Sequence, residues 1–272
     1  MLETQSSTLV SVVIPTYNSE KTISRALESV LSQTYHDWEI VVVDDCSTDG
    51  TVDLVLKYTK QDSRITLIKN NKNEGPAVTR NAGIEQCRGR YIAFLDSDDV
   101  WYSTKLQVQL KMMIEKKAAL SCTNYIRTTE IGKKCGVVNP PAEIRYADLL
   151  KQNTIGCSTA MYDTARIGKV YFPNVLKRQD LALWLKILKQ IPYAISINES
   201  LVTYYVASRG SVSSNKFKAA WYQWIIYRDY LKLPLFESAS YFCHYVIRGL
   251  RGRLLGALNS AWAVFKKDTD SA

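Results

Sequence analysis

The sequence predicts an α/β chain, a mostly parallel central sheet flanked by helices and followed by a helical C-terminal extension. Three observations carry that expectation. Over the first hundred residues short apolar runs alternate with amphipathic stretches, as in successive β-α-β units. Polar loops punctuate these runs: Pro15-Thr16-Tyr17-Asn18, Asp44-Asp45-Cys46-Ser47, Asn73-Glu74-Gly75 and Asp96-Ser97-Asp98-Asp99. Towards the C-terminus the composition turns rich in Trp and Tyr, with ten Lys and Arg against four Asp and Glu from residue 205 onward. The division that follows is residues 1–213 as the α/β domain and 214–272 as a basic, aromatic-rich helical extension.

Leu9 to Ile14 is a compact apolar run stopped by Pro15, and it reads as a buried first strand. With Asn18 or Ser19 as N-cap, Ile23, Ala26, Leu27, Val30 and Leu31 recur at helical spacing and lay one apolar face on the sheet. Trp38 to Val43 forms the next strand, Asp49-Gly50 a turn, Thr51 to Tyr58 a helix and Ile65 to Ile68 a third short strand. Pro76 opens a helix running to about Gln86, because a first turn does not need its missing N–H. Tyr91 to Leu95 is the fourth strand. Beyond Ser103 the pattern is less regular: a helix from Thr104 to Lys117, an apolar segment near Leu120 to Ile126, a Gly/Pro-containing linker from Gly132 to Pro141, a helix over Asp180 to Gln190 and a strand-like stretch from Ile195 to Val206. Right-handed connections between parallel strands would gather the polar loops at one edge of the sheet, where ligands collect.

A chain of 272 residues with 46% apolar content can bury a full core. Its 35 Lys and Arg against 26 Asp and Glu give a net charge of +9, which suits an anionic partner without choosing among nucleotide, phospholipid and nucleic acid. The six cysteines show neither C-x-x-C spacing nor pairing with His, so reduced thiols in a cytoplasmic protein are expected rather than zinc or disulfides. The N-terminus lacks the basic start and apolar run of a signal peptide. Lys and Arg interrupt every candidate for the ~20 apolar residues of a membrane span, so membrane contact is expected to be peripheral.

The acidic loop Asp96-Ser97-Asp98-Asp99 has the chemistry of a cation site, since a hard divalent ion takes oxygen ligands and leaves positions open for phosphate. Asp99 reads as a helix N-cap, whereas Asp96 and Asp98 so close together repel unless something cationic joins them. Asp44-Asp45 suits either a ligand site or an Asx-turn. Arg80, inside the helix opened by Pro76, is placed to balance the carboxylates or contact a base or phosphate, or else to be a solvated surface Arg. Four such loops on one edge make a shared ligand site the better reading.

The segments Val10 to Asn18, Val42 to Gly50, Asn73 to Gly83 and Arg90 to Asp99 resemble, in order and spacing, the family 2 glycosyltransferases. The resemblance covers about residues 8 to 213, fading after Lys105 and returning at Arg178 to Leu185. It implies a GT-A (Rossmann-like) fold, a nucleoside-diphosphate sugar donor with UDP favoured, a divalent cation (Mn²⁺ or Mg²⁺) and inversion at the anomeric carbon. It implies that Thr16, Tyr17, Asp45 and Arg80, with Pro15 beside them, surround the donor's base, that Asp96 approaches the ribose, and that Asp98 is the direct metal ligand. Asp180 resembles the family's general base, although Gln179 stands where an acid often precedes it. The same carboxylate also suits a helix N-terminus; Asp163 and Glu199 are the next candidates for the base. Tyr205 takes a place where the family usually carries Arg, and Arg209 is a candidate to supply the lost charge.

From Ile247 apolar residues recur at helical spacing with Arg248, Arg251, Arg253, Lys266 and Lys267 largely off the stripe. Such a helix either lies on an anionic membrane at the inner face of the plasma membrane or packs on the domain. Membrane contact would favour a polyprenyl-diphosphate-linked acceptor over a soluble glycan, as in bacterial surface-polysaccharide (O-antigen or capsule-type) assembly. Two other classes remain at this stage: a nucleotidyltransferase, and a non-catalytic nucleotide or nucleic-acid binding module. Acidic loops repel phosphate without a metal, so no nucleic-acid partner is expected.

Overall fold

A computed structural model describes residues 8–206 and 216–248 of the chain. The first half is strictly alternating: β1 (Val10–Thr16), α1 (Ile23–Leu31), β2 (Trp38–Asp44), α2 (Thr51–Gln61), β3 (Ile65–Lys69), α3 (Pro76–Gln86) and β4 (Tyr91–Phe94). Then come β5 (Val100–Trp101), α4 (Lys105–Glu115), β6 (Leu120–Thr129), β7 (Lys134–Val138), β8 (Glu143–Ile144), α5 (Tyr146–Lys151), β9 (Met161–Asp163), α6 (Thr164–Ile167), α7 (Gln179–Leu188) and β10 (Ala194–Val206). The extension adds α8 (Lys216–Ile225), a π-helical turn (Ile226–Tyr230) and α9 over residues 235–248.

One sheet runs in the order β3-β2-β1-β4-β9-β6-β10-β5, with β7 on β6 and β8 on β10. Strands β1 to β4 pair in parallel, β9 is antiparallel to both β4 and β6, and β10 is parallel to β6. The carboxyl ends of β1, β2, β3, β4, β6 and β10 therefore point the same way. Strand alternation divides the core between two faces. Val13, Val41, Val43 and Phe94 look towards α3, α5 and α7, together with Leu149 and Trp184. Val12, Ile14, Ile40 and Val42 look towards α1, α2 and α4, with Leu27, Val55 and Leu106. At Gly83 α3 comes so close that an added Cβ would stand 2.6 Å from Val13 Cγ1. Ile226 and Tyr227 are buried in the first cluster, and the Tyr227 hydroxyl donates to the Leu150 carbonyl, so the extension packs on α5.

Several boundaries differ from the sequence expectation. Pro15 does not stop β1. The Leu95 amide donates to the Val13 carbonyl and β4 pairing ends there, so Pro15 is paired only with Val43 of β2 and its missing N–H faces a place β4 has already left. Neither Asn18 nor Ser19 caps α1; Thr22 holds that position without a side-chain bond, and the Ser19 carbonyl accepts from Thr22 and Ile23. The expected linker from Gly132 to Pro141 contains β7, a strand exposed along most of its length. Asp99 is not the cap of α4, a position held by Thr104. Arg209 and nearly all of the basic stripe beyond Ile247 lie outside the described residues. All six cysteines are free.

Candidate active site

Pro15, Thr16, Tyr17, Asp45, Arg80, Asp96 and Asp98 all line one cleft of about 430 Å³ at the carboxyl edge of β1, β2 and β4, with Asn73, Gly75, Pro76, Thr79 and Ser97 completing the wall. Parallel strands deliver their loops to one edge, and that brings the hydroxyls of Ser19 and Ser97, 78 positions apart, within 2.8 Å of each other.

The paired aspartates after β2 divide their tasks. Asp44 Oδ2 accepts from the Ser47 amide, which is the Asx-turn. Asp45 instead accepts from Asn70 Nδ2 and from the amides of Glu74 and Gly75, each at 2.8 Å, and so pins the 70–75 loop as the cleft's floor. Gly75 stands at φ 82°, in the left-handed region glycine tolerates, and this turns its N–H towards Asp45. The Thr16 hydroxyl and Asp44 Oδ1 are buried at this edge without a hydrogen-bond partner among the described residues.

Three carboxylates follow β4, and each has a different environment. Asp96 Oδ1 accepts from Arg80 Nη2 at 2.5 Å and its Oδ2 from the Tyr204 hydroxyl at 3.4 Å. Burial opposes the charge on Arg80, but Asp96 outweighs it and holds the guanidinium more firmly protonated than usual. Asp99 is fully buried, accepting from Ser158 Oγ at 2.5 Å and from the Tyr205 amide at 3.1 Å; burial, then the charges of Asp96 and Asp98, raise its pKa. It ties the acidic loop to β10 and to the 157–159 turn rather than to a helix end. Asp98 opens to solvent on one side and forms no ion pair among the described residues. Loss of hydration on its packed side, and then the charge of Asp96, push its carboxyl up to about 6. A carboxylate held against its charge beside another carboxylate suits a hard cation, which would relieve both penalties. Among the described residues no three His, Cys, Asp or Glu converge as a closed metal cage, so a cation bound through Asp98 would need further oxygens from a ligand.

Arg25, on α1, carries no sequence signal and proves to be part of the site. Its Nη2 donates to the Asp98 carbonyl at 2.7 Å, it pairs with Glu130, and its guanidinium lies 3.8 Å from the ring centre of Tyr205. A cation thus already stands where Tyr205 replaces the usual Arg.

Asp180 is not on the wall of this cleft. It lies in the first turn of α7, half-buried, with Oδ2 accepting from Asn153 Nδ2 at 2.8 Å; the N-cap is Arg178. Burial raises its pKa, against the pull of Arg178, Arg80 and Asn153. Burial and then nearby charges, those of Asp96 and Asp180 among them, raise the pKa of the Tyr204 hydroxyl, and the Cys157 thiol is likewise raised by burial within range of both carboxylates. Gln179 turns away, donating to the Val175 carbonyl. Asp163 is at the opposite end of the sheet: it pairs in register with Tyr91 at the start of β4, binds Arg90 and caps α6. Glu199 is exposed at an irregularity of β10.

Comparison with known proteins bears on the family and the fold. A family model described as Glycosyl transferase family 2 matches residues 11–163. The chain is 41% identical over 247 residues to the putative teichuronic acid biosynthesis glycosyltransferase TuaG of Bacillus subtilis (strain 168), covering 90% of this chain and 98% of that one. It is 39% identical over 246 residues to the UDP-Glc:alpha-D-GlcNAc-diphosphoundecaprenol beta-1,3-glucosyltransferase WfgD of Escherichia coli, covering 89% and 94%. Among solved structures, S. aureus TarS 1-349 in complex with UDP-GlcNAc superposes with a TM-score of 0.67 at 23% identity, covering 87% of this chain and 71% of that one. The mannosyltransferase PcManGT from Pyrobaculum calidifontis, in complex with GDP-Man and Mn²⁺, gives 0.67 at 18% identity, covering 96% and 81%. At these identities the two structures speak to the fold alone.

Proposed function

The chain belongs to glycosyl transferase family 2, and on that premise we propose that it moves a sugar from a UDP-sugar to an acceptor hydroxyl, with inversion, in the assembly of a bacterial surface polysaccharide. The single observation that carries the reading is the cleft in which the uncommitted Asp98 carboxylate stands beside the Arg80–Asp96 pair, above a floor pinned by Asp45. Thr16, Tyr17 and Arg80 flank the donor's base, Pro15 shapes the entrance to that pocket, and Asp96 meets the ribose. Asp98 would hold a Mn²⁺ or Mg²⁺ ion, whose chemistry is to neutralise the charge that develops on the departing diphosphate. Arg25 holds the Asp98 backbone through the bond to its carbonyl and so helps to position the carboxylate. Asp180 takes the proton of the acceptor hydroxyl as that oxygen attacks the anomeric carbon from the face opposite the leaving group. The raised pKa of Asp180, caused by burial, makes it a better proton acceptor than an exposed carboxylate.

Residues 1–213 form the catalytic domain in this reading and 214–272 an extension, whose described part packs on α5 through Tyr227. The acceptor is a sugar on a polyprenyl diphosphate, in keeping with the WfgD relative, rather than a free glycan. No helix among the described residues is long and apolar enough to cross a membrane. Contact with an anionic inner leaflet is then peripheral, through the basic extension, with the enzyme at the cytoplasmic face. A nucleotidyltransferase would release pyrophosphate; the relatives named above are glycosyltransferases, and that alternative is not favoured. The test is a donor panel of UDP-, GDP- and dTDP-sugars with Mn²⁺, read as nucleoside diphosphate released. Turnover confined to UDP-sugars is expected, and no turnover of any donor with any divalent ion would overturn the proposal.

A further inference from the structure

Asn153 lies in the loop that follows α5, and both ends of its side-chain amide are engaged. Oδ1 accepts from the Ile155 amide at 3.2 Å, closing an Asx-turn, and Nδ2 donates to Asp180 Oδ2 at 2.8 Å. The opposite orientation would set an oxygen against the carboxylate and an NH₂ against the Ile155 N–H, so the two bonds fix each other. The loop is itself moored on either side. The Ile155 carbonyl accepts from Trp184 Nε1 at 3.2 Å, and Trp184 stands one turn beyond Asp180 on α7. The Leu150 carbonyl, at the end of α5, accepts from the Tyr227 hydroxyl of the extension. Leu150, Ile155, Trp184 and Tyr227 are all buried. Further along, the same segment reaches the donor side, where Ser158 Oγ donates to Asp99 Oδ2 and accepts from the Asp96 amide.

Among the described residues Asn153 is the one side chain that hydrogen-bonds to Asp180. The charged and titratable groups within range of that carboxylate are Arg178 ahead of it, Arg80 of α3, the Cys157 thiol, and the hydroxyls of Tyr125 on β6 and Tyr204 on β10. None of these donates a hydrogen bond to it, so none selects between its two oxygens. Asn153 does. With Oδ2 engaged, Oδ1 is left to receive a proton. A bond to the ionised form also favours ionisation, and so offsets part of the burial that opposes it.

We propose that Asn153 is a positioning residue for the transfer, holding Asp180 Oδ2 so that Oδ1 is aimed at the attacking hydroxyl. The inference rests on the reading of Asp180 as general base and adds the group that orients it. A carboxylate turns freely about its last torsion unless something holds one oxygen, and a misplacement of about 1 Å can cost ~10²-fold in rate. Asn153 gives up no proton of its own. The new bond joins the acceptor oxygen to the donor carbon, the donor's bond to its diphosphate breaks, and the acceptor's proton passes to Asp180 Oδ1.

The competing role for Asn153 is the turn alone, which Asp and Ser form as well. Asn153→Asp keeps an oxygen for the Ile155 amide but sets a second carboxylate against Asp180. Asn153→Ser keeps the turn and is too short to reach Asp180, and it carries the test if Asn153→Asp folds poorly. Each full-length variant is assayed across pH for UDP release from the UDP-sugar that the donor panel selects, with Mn²⁺ saturating and water in place of the acceptor hydroxyl. UDP affinity is read by calorimetry, and the Asp180 carboxyl is titrated by carbon NMR, its signal assigned by its loss in Asp180→Asn. Both variants are expected to release UDP about tenfold more slowly on the plateau of the pH profile, with UDP affinity within about twofold of wild type. Loss of a bond to the ionised form favours the protonated one, so the acidic limb and the NMR titration should move up by about one pH unit in Asn153→Ser. In Asn153→Asp they should move at least as far, because two adjacent carboxylates hold a proton between them. Release and titration like wild type in either folded variant would assign Asn153 to the turn and overturn the proposal. So would slower release with an unmoved limb and an unmoved NMR titration, which marks a loosened loop. Asp180→Asn tells the failures apart: wild-type release there removes the base and this proposal with it, whereas slow release there beside silent Asn153 variants removes the positioning role alone.

Discussion

Replacing Asp180 with Asn removes a proton acceptor and changes little else. Oδ2 accepts one hydrogen bond, from Asn153 Nδ2, and an amide oxygen can accept the same bond. No cap is lost, because the N-cap of α7 is Arg178. The charge itself is disfavoured by burial, so its removal offsets the slightly poorer hydrogen bond, and the stability change should stay within about 1 kcal/mol. Chemistry should suffer far more. General-base catalysis is worth ~10²–10⁴-fold, equivalent to about 3–5 kcal/mol on the barrier. Turnover with saturating acceptor should fall by that factor while UDP affinity stays within about twofold and the melting temperature barely moves. The pH profile gives a second readout. A raised folded pKa means that the base is lost to protonation at a higher pH than an ordinary carboxylate, so the acidic limb of kcat/KM should lie above the usual carboxylate value of about 4 and disappear in Asp180→Asn. Transfer at the wild-type rate by the variant would refute the assignment, as would a loss of UDP binding that parallels the loss of turnover.

Arg80→Met leaves Asp96 with only the Tyr204 hydroxyl, beside Asp98 and Asp99; breaking a buried pair costs ~3–5 kcal/mol, and because these partners are 12% and 22% exposed a loss of about 2–3 kcal/mol is expected in urea unfolding. A change below about 0.5 kcal/mol would contradict the pairing. Lys105 is fully buried, its Nζ bonded among the described residues only to Gln109 Oε1 and lying 3.8 Å from the centre of the Trp101 ring, and burial pulls its pKa down to about 7. The unfolded chain holds that proton to about pH 10.4, so wild-type stability should rise with pH between about 7 and 10. Lys105→Met should therefore be more stable than wild type by about 1–2 kcal/mol at pH 7, after the loss at Gln109 is counted, and less stable near pH 10. Parallel stability–pH curves for the two proteins would show that Lys105 does not titrate as described.

The donor side of the fold was legible because its signals are local. The apolar runs of β1, β2 and β4 are buried on both faces, and a continuous run followed by a polar loop marks both the strand and the loop it delivers. Asp45, Arg80, Asp96 and Asp98 could be placed at one edge for that reason. The second half gave less away. β7, β8 and β9 are short, pair antiparallel to their neighbours and take their stability from partners far along the chain, so neither period nor length distinguishes them from a linker. Asp99 was misread because a carboxylate before a helix is usually a cap; its true partners, Ser158 and the Tyr205 amide, come from segments brought in only by the folded sheet. Arg25 had no motif at all, since an arginine on a surface helix is ordinarily solvated, and only its contacts with the Asp98 carbonyl, Glu130 and Tyr205 reveal it. Asp180 is proposed as the base by resemblance and not by period, and the structure adds the hydrogen bond it accepts from Asn153.

The central claim is that Asp98 presents a metal-bound nucleotide diphosphate to the cleft, and calorimetric titration of UDP with and without Mn²⁺, in wild type and Asp98→Asn, tests it most directly. Wild type should bind UDP at least tenfold more tightly with Mn²⁺ than without, a difference of about 1.4 kcal/mol or more. Asp98→Asn should lose that difference while melting no lower than wild type, because the carboxyl it removes is held up to about 6 by its surroundings. UDP affinity that ignores Mn²⁺ in wild type, or a metal effect that survives in Asp98→Asn, would contradict the account.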